Sequence, residues 1–274
     1  TEIYTLSLHD ALPILIALLI SSDVSSQQIA GQSKERIPWT TSRMRGSPDP
    51  PSPYKVELAF GGRSFQQPVV LTSAPGTDRM FLVEQRGKIY SFVQGGNSSP
   101  DLCVDLKKMI PKFEAAYGLA FHPDFQRNRQ LFICYIVAKN NDLEAGDPGD
   151  SRQNGTRVSR FILMDTDPPQ VDVTTEELLL TWKAGGHNGG CLKFGPSDGY
   201  LYISAGDAAA PTPPDPDRVG QDLGNFLSCI LRIDVDHKTD ALPYRIPEDN
   251  PFVEMVAAKP EIWAYGFRNP WKMS

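Results

Sequence analysis

From Pro68 onward the chain alternates short runs of β-branched and aromatic residues with Gly, Pro and Asp punctuation. Val69-Val70-Leu71, Met80-Phe81-Leu82-Val83 and, across a tight Arg86-Gly87 turn, Lys88-Ile89-Tyr90-Ser91-Phe92 have the length and composition of strands. Leu119-Ala120-Phe121, Leu131-Phe132-Ile133-Cys134-Tyr135 and Arg157 to Ile162 continue the series. No apolar stripe of helical period runs to useful length apart from Gln221 to Leu227. The pattern predicts an all-β chain.

A phrase recurs within it. A strand, a proline turn and a second strand occur at Pro75 with Met80-Phe81, at Pro123 with Leu131-Phe132 and at Pro196 with Leu201-Tyr202, a spacing of 48 to 73 residues. The last two copies are followed at nearly equal offsets by Arg160-Phe161 and Arg232-Ile233. Short-strand units of this size must stack on their neighbours to bury their faces, so the repeat predicts propeller blades over a sandwich.

The third copy carries the most chemistry. His187 stands between the glycine pairs Gly185-Gly186 and Gly189-Gly190, and the second strand ends at Gly206-Asp207. A hairpin can bring its two ends together, which would set an imidazole beside a carboxylate, the smallest unit of general-base chemistry. The alternative is that Asp207 only begins a turn and His187 only ties down a loop. Gly189 and Gly190 are turn glycines, or they leave room for a flat ligand. His122, before Pro123, reads as a turn residue, and His237 as exposed.

Residues 1–53 read as a leader, Ser-, Gln-, Arg- and Pro-rich from 21 onward, with structure expected from about Tyr54 to Ser274. Its one long apolar run, Leu12 to Ile20, is too short to span a bilayer and resembles the core of a secretory signal. Thr1 to Ile14 looks like translated sequencing-adapter DNA, and the chain stops at Met273-Ser274 where a strand begins; a fragment at both ends is expected. The 24 Pro and 22 Gly among 274 residues fit many short elements. A net charge of −6 offers no footprint for nucleic acid or an anionic membrane. Cys103, Cys134, Cys191 and Cys229 are too widely spaced for a zinc site; each reads as a small buried hydrophobe, with one or two disulfides possible in an exported protein. Lys139 to Thr156 and Ala208 to Asp217 read as rim loops, the first acidic but without the spacing of a calcium loop.

His187-Asn188-Gly189-Gly190 with Phe194-Gly195-Pro196 and Gly206-Asp207 resembles the soluble glucose/sorbosone dehydrogenases, which use pyrroloquinoline quinone (PQQ). Gln221-Asp222-Leu223 with Ile230 to Asp236, and Pro260 to Trp271, are similar to the family's next signatures. Glu84 to Gly87 and Gly118 to Pro123 add weaker matches, so the resemblance covers Pro68 to Ser274. It implies a six-bladed propeller, of which about four blades would be present here, with PQQ and calcium as cofactors. It implies oxidation of the anomeric hydroxyl of an aldose to a lactone, with hydride passing to the quinone and an external electron acceptor reoxidising it.

Residue by residue, the resemblance places His187 on the general base and Asp207 on the carboxylate that orients it. Arg268 falls on the cation at the quinone and sugar oxygens, and Asn269 on a hydrogen bond to the cofactor. The calcium ligands and remaining cofactor contacts fall in blades beyond residue 274, so the chain alone is expected to be unstable or inactive. Glu114-Ala115-Ala116-Tyr117 departs from a sugar-holding Gln segment, and Ala208-Ala209-Ala210-Pro211 from a glycine-rich loop, which leaves the sugar open. The resemblance also implies a secreted or periplasmic protein without a membrane span. Two other classes compete: a non-catalytic, hedgehog-interacting-like extracellular binding propeller, and a calcium-dependent lactonase propeller.

Overall fold

The structure, a computed structural model, describes residues 59–96, 98–137, 155–210, 212 and 215–274. The expected leader, the start near Tyr54 and most of the acidic insertion lie outside these residues.

Among the described residues, twelve strands form three antiparallel sheets of four. The first holds β1 (Pro68–Ser73), β2 (Arg79–Glu84), β3 (Lys88–Val93) and β4 (Asp101–Asp105). The second holds β5 (Phe113–Phe121), β6 (Gln130–Val137), β7 (Gly155–Leu163) and β8 (Val171–Trp182). The third holds β9 (Gly189–Phe194), β10 (Leu201–Ala205), β11 (Cys229–Ile233) and β12 (Ile262–Tyr265). Each is a meander in chain order, the form of a propeller blade. The three proline turns each join the first two strands of one blade. The described residues therefore hold three blades where about four were expected, one for each copy of the repeat.

Burial explains the sequence pattern. In β6, Leu131, Ile133 and Tyr135 enter a core shared with the first blade, alongside Phe81, Ile89 and Phe121. Phe132 and Cys134 face the opposite way, into a core shared with Leu192, Leu201 and Leu231 of the third blade. A strand buried on both faces reads as an unbroken apolar run, which is why Leu131 to Tyr135 does not alternate. Each fully buried Leu or Phe contributes about 2 kcal/mol over its exposed state. The first strands lie side by side, β1 on β5 and β5 on β9, and enclose a cavity of about 280 Å³ lined by Leu71, Leu119 and Leu192 among others.

Two single-turn helices, α1 (Leu106–Met109) and α2 (Phe125–Asn128), are too short to show a period. The Gln221 to Leu227 stripe is not an α-helix; only Val219–Gln221 forms a 3₁₀ turn there. Met273-Ser274 pairs with no strand. The four cysteines are free thiols, all buried, so the disulfide option is not taken. Burial pushes the thiols of Cys134 and Cys229 up to about 12 and that of Cys103 to about 11, which keeps them protonated and unreactive.

Candidate functional site

The β9–β10 hairpin brings its ends together as its sequence suggests. Ala205 pairs with Gly189, and beyond them the imidazole Nδ1 of His187 lies 2.7 Å from Asp207 Oδ1. The side chains are 9% and 1% exposed. Because the carboxylate can only accept, Nδ1 carries the proton and Nε2 is left to take one. Asp207 Oδ1 also accepts the N–H of Ala209 at 2.8 Å. Its Oδ2 is buried without a partner among the described residues. An orphaned buried carboxylate oxygen costs stability, and such costs concentrate where function requires them.

Main-chain bonds build the surroundings. Gly186 N–H donates to Ala208 O at 3.2 Å and Ala208 N–H to His187 O at 2.9 Å. Asp207 N–H donates to Arg268 O at 2.9 Å, Ser228 N–H to Gly206 O at 3.0 Å and Phe267 N–H to Ser228 O at 3.0 Å. Four segments separated in sequence, at 186–187, 206–208, 228 and 267–268, are thereby stitched together, with His187, Asp207 and Arg268 among them. Arg268 and Asn269 are exposed.

The glycines serve this close approach. A Cβ on Gly186 would lie 2.3 Å from Ala209 O, and one on Gly206 would lie 2.4 Å from His187 O. Gly189 and Gly190 have φ of +65° and +89°, and a Cβ on Gly190 would fall 2.7 Å from Tyr117 Cβ. The turn role predicted for them is therefore accompanied by tight packing on the chain itself. Tyr117, on the same rim, meets Trp271 edge-on at 5.3 Å, and its hydroxyl accepts from Gln85 Nε2 at 3.3 Å. Neither His187 nor Asp207 lines the cavity along β1, β5 and β9.

The other two histidines among the described residues behave as turn and surface residues. His122 is 3% exposed, and its Nδ1 accepts from Asp124 N–H at 3.0 Å. Burial lowers its basicity below that of an ordinary histidine. His237 is exposed. Asn188 and the Ala209 amide were not singled out from sequence, because main-chain bonding leaves no mark in residue types.

As to cofactors, a planar polyanionic quinone needs a cation and a base on one surface. Arg268, exposed and tied through its carbonyl to the Asp207 N–H, and His187, held by Asp207, supply the two types of group. Among the described residues no group of three or more His, Cys, Asp or Glu could hold a metal ion, so calcium enters no step below. Among them, too, no helix is long and apolar enough to cross a membrane.

Known proteins share this frame. The chain is 31% identical to Hedgehog-interacting protein of Homo sapiens over 214 residues, covering 75% of this chain and 29% of that one. It is 33% identical to aldose sugar dehydrogenase of Escherichia coli (strain K12) over 154 residues, covering 56% and 35%. The PQQ-bound form of aldose sugar dehydrogenase from Streptomyces coelicolor superposes with a TM-score of 0.57 at 18% identity, covering 77% and 54%, which speaks to the fold. The chain thus spans about a third of the length of these curated relatives. With residues 65–274 matching its profile, the chain belongs to the glucose / sorbosone dehydrogenase family.

Proposed function

We propose that the protein oxidises the anomeric hydroxyl of an aldose to a lactone, with His187 as general base. The observation that carries this reading is the buried 2.7 Å His187–Asp207 bond on a propeller rim, with Arg268 hydrogen-bonded to the same aspartate through its main chain. His187 Nε2 takes the proton of the hydroxyl. Asp207 holds Nδ1–H, fixing the ring and stabilising the imidazolium that forms. The Arg268 guanidinium faces the negative charge that develops beside it, and Asn269 supplies a hydrogen bond to the cofactor. Bound PQQ would supply the hydride acceptor, and an external acceptor would reoxidise it. A secreted or periplasmic location belongs to the same proposal, supported by the signal-like Leu12 to Ile20 run. So does the domain division, with a leader at 1–53 and the propeller from 54.

A second reading, a non-catalytic extracellular binding propeller, is favoured by the 31% identity to Hedgehog-interacting protein over 75% of the chain. One experiment separates them. The full-length protein is mixed with PQQ and calcium and assayed for aldose-dependent dye reduction. Turnover that His187→Ala abolishes supports the dehydrogenase. Absence of turnover, with no spectral change of the added quinone, supports the binding propeller.

A further inference from the structure

We infer that Asn188 is the positioning residue of His187, an inference that rests on the reading of His187 as a base. Its side chain is engaged at both ends by one residue. Oδ1 accepts from Gly185 N–H at 2.8 Å, and Nδ2 donates to Gly185 O at 2.8 Å. Asn188 itself is 6% exposed, and its partner Gly185 is half-buried. A carboxamide can accept from and donate to the same peptide neighbour at once, through two different atoms. Asp cannot donate, and Ala can do neither.

The loop needs such a clamp. Gly185 and Gly186 are pressed against the opposing chain: a Cβ on Gly185 would lie 1.7 Å from Ala208 O. Glycine meets that requirement at the cost of a backbone with the greatest freedom to lose. Asn188 removes the freedom on one side of the histidine, and the Ala208 N–H bond to His187 O removes it on the other. The ring is thereby held so that Nδ1 meets Asp207 Oδ1.

The second blade separates this role from ordinary hairpin stability. The registers of β5 with β6 and β9 with β10 place Ala115 where the third blade has Asn188, and Glu114 where it has His187. Glu114 is exposed. In the second blade, where this position holds no histidine, the hairpin closes without the amide.

The test uses the full-length protein labelled with ¹⁵N-histidine, His187 being assigned by its loss in His187→Gln. In the wild type the His187 Nδ1–H gives a downfield, slowly exchanging proton signal. Asn188→Ala loses that signal, whereas Ile203→Val, a β10 core change that lowers stability without touching the loop, keeps it. With quinone and an aldose, Asn188→Ala lowers kcat about 10- to 100-fold with the sugar KM unchanged. Retention of the signal in Asn188→Ala at the Ile203→Val exchange rate overturns the inference. Where Asn188→Ala does not fold, Asn188→Asp decides in the same way. It keeps the acceptor and loses the donor, so faster exchange than in Ile203→Val supports the clamp and equal exchange overturns it. The signal needs neither quinone nor sugar. Its loss in a protein with no dye reduction in any variant supports the clamp while removing the dehydrogenase reading.

Discussion

Two buried histidines sit on neighbouring hairpins of the same build, and they are wired in opposite senses. His122, just past the end of β5, accepts at Nδ1 from Asp124 N–H and lies 2.7 Å from Asn128 Nδ2. Its proton is then on Nε2, 3.0 Å from Asp236 Oδ1. His187, just before the start of β9, donates from Nδ1 to Asp207, which leaves Nε2 as the nitrogen that can take a proton in the neutral ring. One ring closes a turn and the other presents a base. The positions around them differ in the same direction. Where the third blade buries His187 and Asp207, the second has exposed Glu114 and buried Val137. The blade therefore has an apolar solution at this point, and the third blade bears a buried carboxylate with an orphan oxygen instead. Such a group is expensive unless it is used.

The contrast can be broken at several points. His187→Ala should lower aldose turnover by about 10²- to 10⁴-fold in steady-state dye reduction. Glu114→Ala, at the matching position, should leave turnover within about twofold; an equal loss there would erase the distinction. Importing the acid in the other direction comes next. Val137→Asp places a carboxylate where no histidine waits, and urea unfolding should show a loss of about 3–5 kcal/mol.

Two glycines of the third hairpin test whether packing or backbone angle dominates. Gly190→Ala adds a Cβ into Tyr117 at φ +89°, whereas Gly199→Ala meets open space at φ +71°. Thermal melts should show about 2 kcal/mol lost for the first and about 1 kcal/mol for the second. The smallest effect is that of His122 on acid stability. Its folded basicity is lowered, chiefly by burial, so the unfolded chain takes up its proton first. Stability from this group is complete above about pH 6.5 and is lost as pH falls below it. His122→Asn should flatten the fall of the unfolding free energy below about pH 6.5, and a slope unchanged by the substitution would rule the assignment out.

The frame of each blade was legible because its first hairpin carries local signals: a Pro turn with short apolar and aromatic runs on both sides. The outer strands were harder. β8 reads Val-Asp-Val-Thr-Thr-Glu-Glu-Leu-Leu-Leu-Thr-Trp, and the register shifts in its pairing with β7 break the alternation. β12 has only Ile262 fully buried. In the site, the meeting of His187 and Asp207 followed from hairpin geometry alone. The attachment of Arg268 to Asp207 did not, since a main-chain amide and carbonyl look alike at every residue. Asn188 was hidden for a related reason: an Asn in a Gly-rich loop is unremarkable until both ends of its amide are seen to be occupied.

The bond from Asp207 N–H to Arg268 O has a consequence for how such a protein can change. It joins base and cation through atoms that every residue except proline possesses. Side chains such as Tyr117 and Gln85 can therefore be exchanged around the rim without shifting the two groups against each other. Tolerance to substitution is then uneven: generous where a ligand's shape would be read, and narrow only along the few peptide units that set the spacing.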